Sequence, residues 1–192
     1  IGGAAFLKAY FDLYEAEADL ADTRGGVIEM AAGDSIGATP PISTFFDDKP
    51  TIQAMNMMGI DIDGIGNHNF DRSATFFRTE IVPLANFPYV SSNIVDASGN
   101  TPKEWSPSEV FKFPHGVQVA IVGFSNDDIP SLTKPGALEQ FHLENSTASV
   151  NAEVRNMKKQ ADAIVVIGHH GATTGTLTDP GGPLIDLADN MD

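Results

Sequence analysis

Three short polar motifs, each directly after an apolar stretch, contain the residue types that catalysis or metal binding would need. They are Gly33-Asp34, the run from Gly66 to Asp71, and the run from Gly168 to Gly171. An Asn can give a metal a neutral oxygen ligand, a His can donate a proton to a leaving group, and an Asp can hold an imidazole in place. Each motif alone is also typical of an ordinary loop, so a functional interpretation depends on the three occurring together.

Four side chains of the first two motifs are candidates for a site. Asp34 could bridge two cations, although an Asp at a strand end is also typical of a turn or a helix N-cap. Asn67 could offer its amide oxygen to a metal or form an Asx turn. His68 is placed for acid catalysis or transition-state stabilisation, and a structural hydrogen-bonded His is the alternative. Asp71 could orient His68 or cap the helix that follows.

The third motif offers two adjacent imidazoles at the end of a very hydrophobic strand. Successive side chains of a strand point to opposite faces, so only one of the two can face a given site. We therefore predict that His169 faces the metal and that His170 lies outward or behind the ligands. His115 and His142 have polar surroundings and no companion motif, which favours exposed positions.

Apolar periodicity predicts an α/β fold in which strands alternate with helices. Helices are predicted over residues 4–18, 48–58, 72–84 and from 146 or 147 to 161. Strands are predicted over residues 27–32, 60–65, 89–95, 116–125 and 163–167. A loop or hairpin connection is predicted over 96–107 and a surface loop over 126–136. Three of these strands end in the polar motifs. Because sites in open α/β sheets form where the carboxyl ends of strands meet, we expect the motifs to converge.

Composition restricts the class of protein and of partner. The chain has 192 residues, enough for one domain with a substantial core, and a formal net charge of −15. An acidic surface repels polyanions, which argues against nucleic acid as a partner, while bound cations would still allow a small anionic substrate. No apolar run approaches the roughly 20 residues of a membrane span. The absence of Cys excludes thiolate chemistry.

The motifs, in this order, resemble those of the calcineurin-like metallophosphoesterase superfamily and, within it, the 5′-nucleotidase family. That family's pattern is Gly-Asp, then Gly-Asn-His-Glu-Phe-Asp, then a strand that ends in His-x-Gly. The stretches 2–5, 33–40, 85–88 and 91–93 are also similar to secreted bacterial members. The resemblance covers nearly the whole chain.

The resemblance implies a sandwich of mixed β-sheets flanked by helices, with a centre of two divalent cations (Mn, Zn, Fe or Co). Asp34 would bridge the two cations, Asn67 and His169 would belong to the second cation, and His68, paired with Asp71, would steady the phosphoryl group. Water attacking phosphorus in line would release phosphate from a nucleoside monophosphate. The resemblance also implies a location outside the cytoplasm, either secreted, periplasmic or at the cell surface.

Departures from the family pattern set further expectations. Asn69 stands where the pattern has Glu, and the family's first motif (Asp-x-His) and last motif (Gly-His-x-His) have no counterpart in residues 1–192. We therefore expect an incomplete catalytic domain without a C-terminal nucleotide-binding domain, weak or no activity alone, and self-association through an unpaired sheet edge. A non-catalytic binding module, or a relative acting on cyclic nucleotides, nucleotide sugars or sulfur substrates, remains open.

Overall fold

Two small β-sheets pack face to face in the computed structural model, which describes residues 3–21 and 26–191. The strands are β1 (Met30–Ala31), β2 (Ile62–Gly64), β3 (Tyr89–Val90), β4 (Ile94–Val95), β5 (Ser108–Lys112), β6 (Gln118–Ser125), β7 (His142–Leu143), β8 (Ala163–His169), β9 (Thr174–Gly175) and β10 (Pro180–Gly181). The helices are α1 (Ala4–Ala21), α2 (Pro41–Thr44), α3 (Lys49–Met58), α4 (Ala74–Phe76), α5 (Ile129–Leu132), α6 (Ser146–Met157) and α7 (Pro183–Asp189).

The sheets have simple orders. The first is parallel throughout, in the order β1-β2-β3. The second has the order β5-β6-β8, with β5 antiparallel to β6 and β6 parallel to β8 over seven residue pairs. Two further antiparallel pairs, β4 with β7 and β9 with β10, lie outside these sheets. The predicted α/β sandwich of mixed sheets is thus confirmed.

Apolar side chains fill three layers. A layer between the two sheets contains Ile62, Val90, Ile121 and Ile167. Outside the first sheet, the largest cluster joins α3 to the aromatic segment that contains Phe70, Phe77 and Tyr89. Outside the second sheet, α6 and α7 cover β6 and β8. The central layer brings the two sheets together along their length, which places the carboxyl ends of β1, β2 and β8 at one end of the sandwich.

The strand predicted over residues 89–95 is interrupted, and the prediction of one strand is wrong. Residues 91–93 separate β3 from β4 because the side chains of Ser91 and Asn93 bind Ser125 at the end of β6. The amide of Asn93 accepts a hydrogen bond from the Ser125 backbone nitrogen at 2.8 Å and donates to the Ser125 carbonyl at 2.9 Å. The Ser91 and Ser125 hydroxyl oxygens lie 2.9 Å apart.

Four other differences from the predicted elements are confined to single segments of the chain. The helix predicted over residues 72–84 divides into α4, a π-helical turn (Phe77–Ile81) and a 3₁₀ turn (Val82–Leu84), where Pro83 cannot donate to the ladder. The loop predicted over 126–136 contains α5. Strand β5 was not predicted, because its sequence SEVFK is half polar. Asn145, rather than Ser146 or Thr147, caps α6 by accepting from the Ala148 nitrogen at 3.0 Å.

No helix in the described part of the chain is long and apolar enough to cross a membrane.

The layer between the sheets should contribute to stability. Ile121 is fully buried in this layer, so Ile121→Ala should lower the free energy of unfolding by about 2–5 kcal/mol in urea titrations, through lost transfer energy and a residual cavity. Ile42 is 79% exposed on α2, and Ile42→Ala should change the same quantity by less than about 0.5 kcal/mol. Equal losses in the two variants would contradict this account of the core.

Candidate functional site

The three polar motifs lie together where strands of both sheets end. Gly33 and Asp34 follow β1 of the first sheet, and the Gly66–Asp71 turn follows β2. His169 is the last residue of β8 in the second sheet. The predicted meeting of these strand ends is therefore present in the structure, and it joins the two sheets.

Asp34 is the central residue of this cluster. Its Oδ1 accepts a hydrogen bond from the His68 backbone nitrogen at 2.8 Å. Its Oδ2 lies 2.8 Å from Nε2 of His169. One carboxylate therefore contacts residues from both other motifs, and it does so across the boundary between the sheets.

His68 and Asp71 form a second pair beside Asp34. Nδ1 of His68 lies 2.8 Å from Oδ2 of Asp71, and both side chains are a little more than one-third exposed. A carboxylate at Nδ1 favours the tautomer with the proton on Nδ1 and holds the ring orientation. The opposite nitrogen, Nε2, is consequently left available for an external group.

His169 has an oxygen atom beside each ring nitrogen. Nδ1 lies 3.1 Å from the Ala32 carbonyl, and Nε2 faces the Asp34 carboxylate. The hydrogen bond to Asp34 raises the pKa of the His169 imidazole above its ordinary value, against an opposing effect of burial. In the absence of a cation, the protonated ring can donate to both oxygens.

Asn67 and His170 complete the set of residues considered from the sequence. Asn67 begins a 3₁₀ turn (Asn67–Phe70), is half-buried, and makes no side-chain hydrogen bond within residues 3–21 and 26–191. Its amide oxygen is therefore uncommitted. His170 lines a different cavity of about 290 Å³ with Asp127 and Asp186, away from Asp34.

The backbone at the site requires two glycines. Gly33 has φ +92°, and Asp34 follows at φ +57°, a left-handed conformation that costs an L-residue on the order of 1 kcal/mol. Gly66 allows the close approach of the motifs, since a Cβ there would lie 2.1 Å from Oδ1 of Asp34 and 2.9 Å from Cγ of His169. The space between these two side chains exists because residue 66 has no side chain.

Two buried residues that sequence reasoning did not select hold the turns in place. Oδ1 of Asp63 accepts from the Gly33 nitrogen at 2.9 Å, and Oδ1 of Asn69 accepts from the Asp34 nitrogen at 3.2 Å. The available signal for Asp63 was a carboxylate inside the otherwise apolar strand β2. The signal for Asn69 was its departure from the family's Glu.

Burial dominates the electrostatics of Asp63. The side chain is fully buried, and burial raises its pKa from 3.8 to about 6, with hydrogen bonds from Gly33, Ser35 and Gly64 acting in the opposite direction. The second carboxylate oxygen of Asp63 and the hydroxyl of the neighbouring Tyr89 are buried without a partner in the described residues. Ionisation of Asp63 at neutral pH therefore destabilises the folded protein.

The residues at the strand ends fit one divalent cation. Carboxylate, imidazole and amide donors suit Mn, Fe, Co or Zn. The 2.8 Å between Oδ2 of Asp34 and Nε2 of His169 is close to the roughly 3 Å that separates two ligands of one ion. Within residues 3–21 and 26–191, however, no three His, Asp or Glu side chains form a group that could hold a metal by themselves. The described residues thus supply a partial ligand set.

Comparison with curated proteins finds relatives over most of this chain. Protein UshA of Salmonella pullorum is 29% identical over 171 residues, which cover 88% of this chain and 30% of UshA. The 5′-nucleotidase of Vibrio cholerae is 28% identical over 175 residues, again 88% of this chain and 30% of the relative. The chain thus spans about a third of the length of these two relatives. No family model matches the sequence.

Solved structures share the fold. The calcineurin-like phosphoesterase YfkN from Bacillus subtilis superposes with a TM-score of 0.78 at 21% identity, over 97% of this chain and 59% of that chain. At this identity the similarity concerns the fold, and it agrees with the face-to-face sheets described above.

Asp63 should make stability depend on pH. Because its pKa is raised in the folded protein, this carboxyl destabilises the fold as pH rises from 3.8 to about 6. Asp63→Asn removes that dependence. Relative to the wild type, the variant should therefore gain about 3 kcal/mol in free energy of unfolding between about pH 3 and about pH 8.

Urea titrations in EDTA at several pH values measure this difference. Asp19→Asn, which removes an exposed carboxylate on α1, controls for the loss of one negative charge. A difference between Asp63→Asn and the wild type that stays constant with pH would contradict the raised pKa.

Proposed function

We propose that this chain, which belongs to the 5′-nucleotidase family of the calcineurin-like metallophosphoesterase superfamily, forms the catalytic domain of a metal-dependent phosphoester hydrolase. Its substrates would be nucleoside monophosphates, and its products a nucleoside and phosphate. The observation that carries this proposal is the position of Asp34, whose two carboxylate oxygens contact the turn of His68 and the ring of His169. The names and sequences of the relatives support the same reaction class.

In this proposal Asp34, Asn67 and His169 hold one divalent cation. Bound cations supply Lewis-acid stabilisation of the negative charge on the phosphoryl group. Asp34 offers a carboxylate held by a backbone N–H, His169 an imidazole anchored at Nδ1 by the Ala32 carbonyl, and Asn67 an uncommitted amide. A second cation, bridged by Asp34, is part of the proposal and would need ligands in addition to these residues.

His68 acts on the phosphoryl group or the leaving oxygen. Asp71 holds the proton on Nδ1 and stabilises the imidazolium, so Nε2–H can donate to a phosphoryl or ester oxygen. Donation to an oxygen that gains negative charge during the reaction strengthens as the P–O bond breaks. The pair therefore stabilises the transition state more than the bound substrate.

A small cavity beside His68 supports an anionic substrate. It has a volume of about 160 Å³, and its lining includes His68, Asp71, Arg72 and Lys134. Arg72 is held by Asp47 at 2.6 Å, whereas Lys134 is exposed and has no ionic partner in the described residues. The lining also includes the carboxylates of Asp48 and Asp71, so the ammonium group of Lys134 is the feature of this cavity that favours an anionic ligand.

We place the protein outside the cytoplasm on the basis of family resemblance alone.

The direct test is phosphate release from nucleoside 5′-monophosphates by the 192-residue chain in Mn²⁺. We expect weak release that EDTA abolishes and that His68→Asn lowers by about 100-fold, because the variant loses the proton donor at Nε2. The matched control is His142→Asn, on β7, which pairs with β4 and not with the site strands. This control should keep wild-type activity.

Two outcomes would contradict the proposal. Phosphate release that is insensitive to EDTA or to His68→Asn would mean that the activity does not depend on the proposed metal site or on His68. Nucleotide binding that neither depends on Mn²⁺ nor changes in His68→Asn would favour a non-catalytic binding module instead.

We also propose that the chain self-associates through β8. Among the described strands, β8 pairs on one side only, with β6, and its seven residues include no Asp, Glu, Lys or Arg. An uncharged, unpaired edge is the part of an acidic chain where two copies can approach with least repulsion.

Sedimentation velocity tests the role of this edge. Val165 is 38% exposed on β8, and Val165→Lys should shift the equilibrium at least tenfold toward monomer by placing like charges at the contact. Val117→Lys introduces the same charge at an equally exposed residue outside the strands and should leave the equilibrium unchanged. A wild type that stays monomeric at high concentration would contradict the proposal.

A further inference from the structure

The Asn69 side chain holds two of the three motifs together through a single atom. Its Oδ1 accepts from the Gly66 nitrogen at 2.9 Å and from the Asp34 nitrogen at 3.2 Å. The side chain is 1% exposed. Water therefore cannot readily replace this oxygen as the acceptor for either N–H group.

The Asp34 backbone needs such an anchor. Gly33 and Asp34 are consecutive left-handed residues, a conformation that persists only where surrounding contacts enforce it. Asp63 binds the Gly33 nitrogen, and Asn69 binds the Asp34 nitrogen. The second contact acts directly on the residue whose carboxylate faces His169.

The two ends of Asp34 are tied to the same turn. Its nitrogen is bound by Asn69, and its Oδ1 is bound by the backbone nitrogen of His68, one residue earlier in the turn. Loss of the Asn69 oxygen would leave Asp34 attached to this turn at one point only, between its Oδ1 and the His68 nitrogen. The Asp34 side chain could then rotate away from His169.

Only the oxygen of the Asn69 amide forms hydrogen bonds. Its Nδ2 is buried and has no partner within the described residues. An amide therefore provides the oxygen that both backbone groups require without adding a negative charge beside Asp34 and Asp63. A carboxylate in this place would satisfy the same two N–H groups and increase the local negative charge.

We propose that Asn69 is a positioning residue, whose amide oxygen clamps the Asp34 turn to the Gly66–Asp71 turn and thereby holds the Asp34 carboxylate where it can share a cation with His169. The part of this inference that concerns the cation depends on the proposed function. The clamp itself is a property of the metal-free fold.

The test compares Asn69→Leu, Asn69→Asp and Asn56→Leu in the full chain. Leu has nearly the shape of Asn without an acceptor, and Asp keeps the acceptor oxygen. Asn56, on α3, is the matched control because its side-chain amide also joins two backbone groups. It accepts a hydrogen bond from the Asn86 nitrogen at 2.8 Å and donates one to the Leu84 carbonyl at 2.9 Å. These hydrogen bonds do not involve the three polar motifs.

Two readouts are measured, amide hydrogen exchange in EDTA and Mn²⁺ affinity by calorimetry. We expect Asn69→Leu to speed exchange at the Asp34 and Gly66 amides at least tenfold and to weaken Mn²⁺ binding at least tenfold. Asn69→Asp should restore both quantities to within about threefold of wild type. Asn56→Leu should leave both unchanged, even if it lowers overall stability.

The outcomes separate the clamp from the metal site. Unchanged exchange at Asp34 and Gly66 in Asn69→Leu, or equal effects of Asn69→Leu and Asn56→Leu, would overturn the clamp. Unchanged Mn²⁺ affinity in Asn69→Leu would overturn its positioning role. If the wild type binds no Mn²⁺, the metal site of the proposed function fails, the positioning role fails with it, and the exchange data alone decide the clamp.

Discussion

The contact between the Asp34 carboxylate and the His169 imidazole is the interaction on which the rest of the site depends. Asp34 follows β1 of the first sheet and His169 ends β8 of the second, so the distance between them depends on how the two sheets pack. The apolar layer between the sheets, which includes Ile121, therefore has a functional consequence. It brings a carboxylate and an imidazole from distant parts of the chain to within hydrogen-bond distance.

Negative charge at this place is compensated by backbone N–H groups and by the His169 imidazole, which faces Asp34. Asp34 accepts from the His68 nitrogen, and Asp63 accepts from the Gly33 nitrogen, while no Lys or Arg forms an ion pair with either carboxylate in the described residues. Fixed N–H donors stabilise a carboxylate less completely than a cationic side chain does. A site with this electrostatic balance is suited to a bound cation, because the cation supplies the missing positive charge.

The positions of the motifs could be predicted from the sequence, because a polar group after an apolar strand marks the strand's carboxyl end. The hydrogen bonds that hold these motifs in place could not be predicted from the sequence. Asn69 is an isolated amide in a polar turn, and only the folded backbone reveals that its oxygen lies between the Asp34 and Gly66 nitrogens. The break after β3 was missed for the same reason, since the partners of Asn93 lie more than thirty residues away. Long-range polar contacts leave no periodic signal in the sequence.

The central claim is that Asp34 and His169 share a divalent cation, and anomalous diffraction from crystals soaked in Mn²⁺ tests it most directly. The account predicts an anomalous peak bonded to Oδ2 of Asp34 and Nε2 of His169, with the Asn67 amide oxygen turned toward it. A peak only at surface carboxylates, or an Asp34–His169 contact unchanged at 2.8 Å with no peak, would contradict the claim.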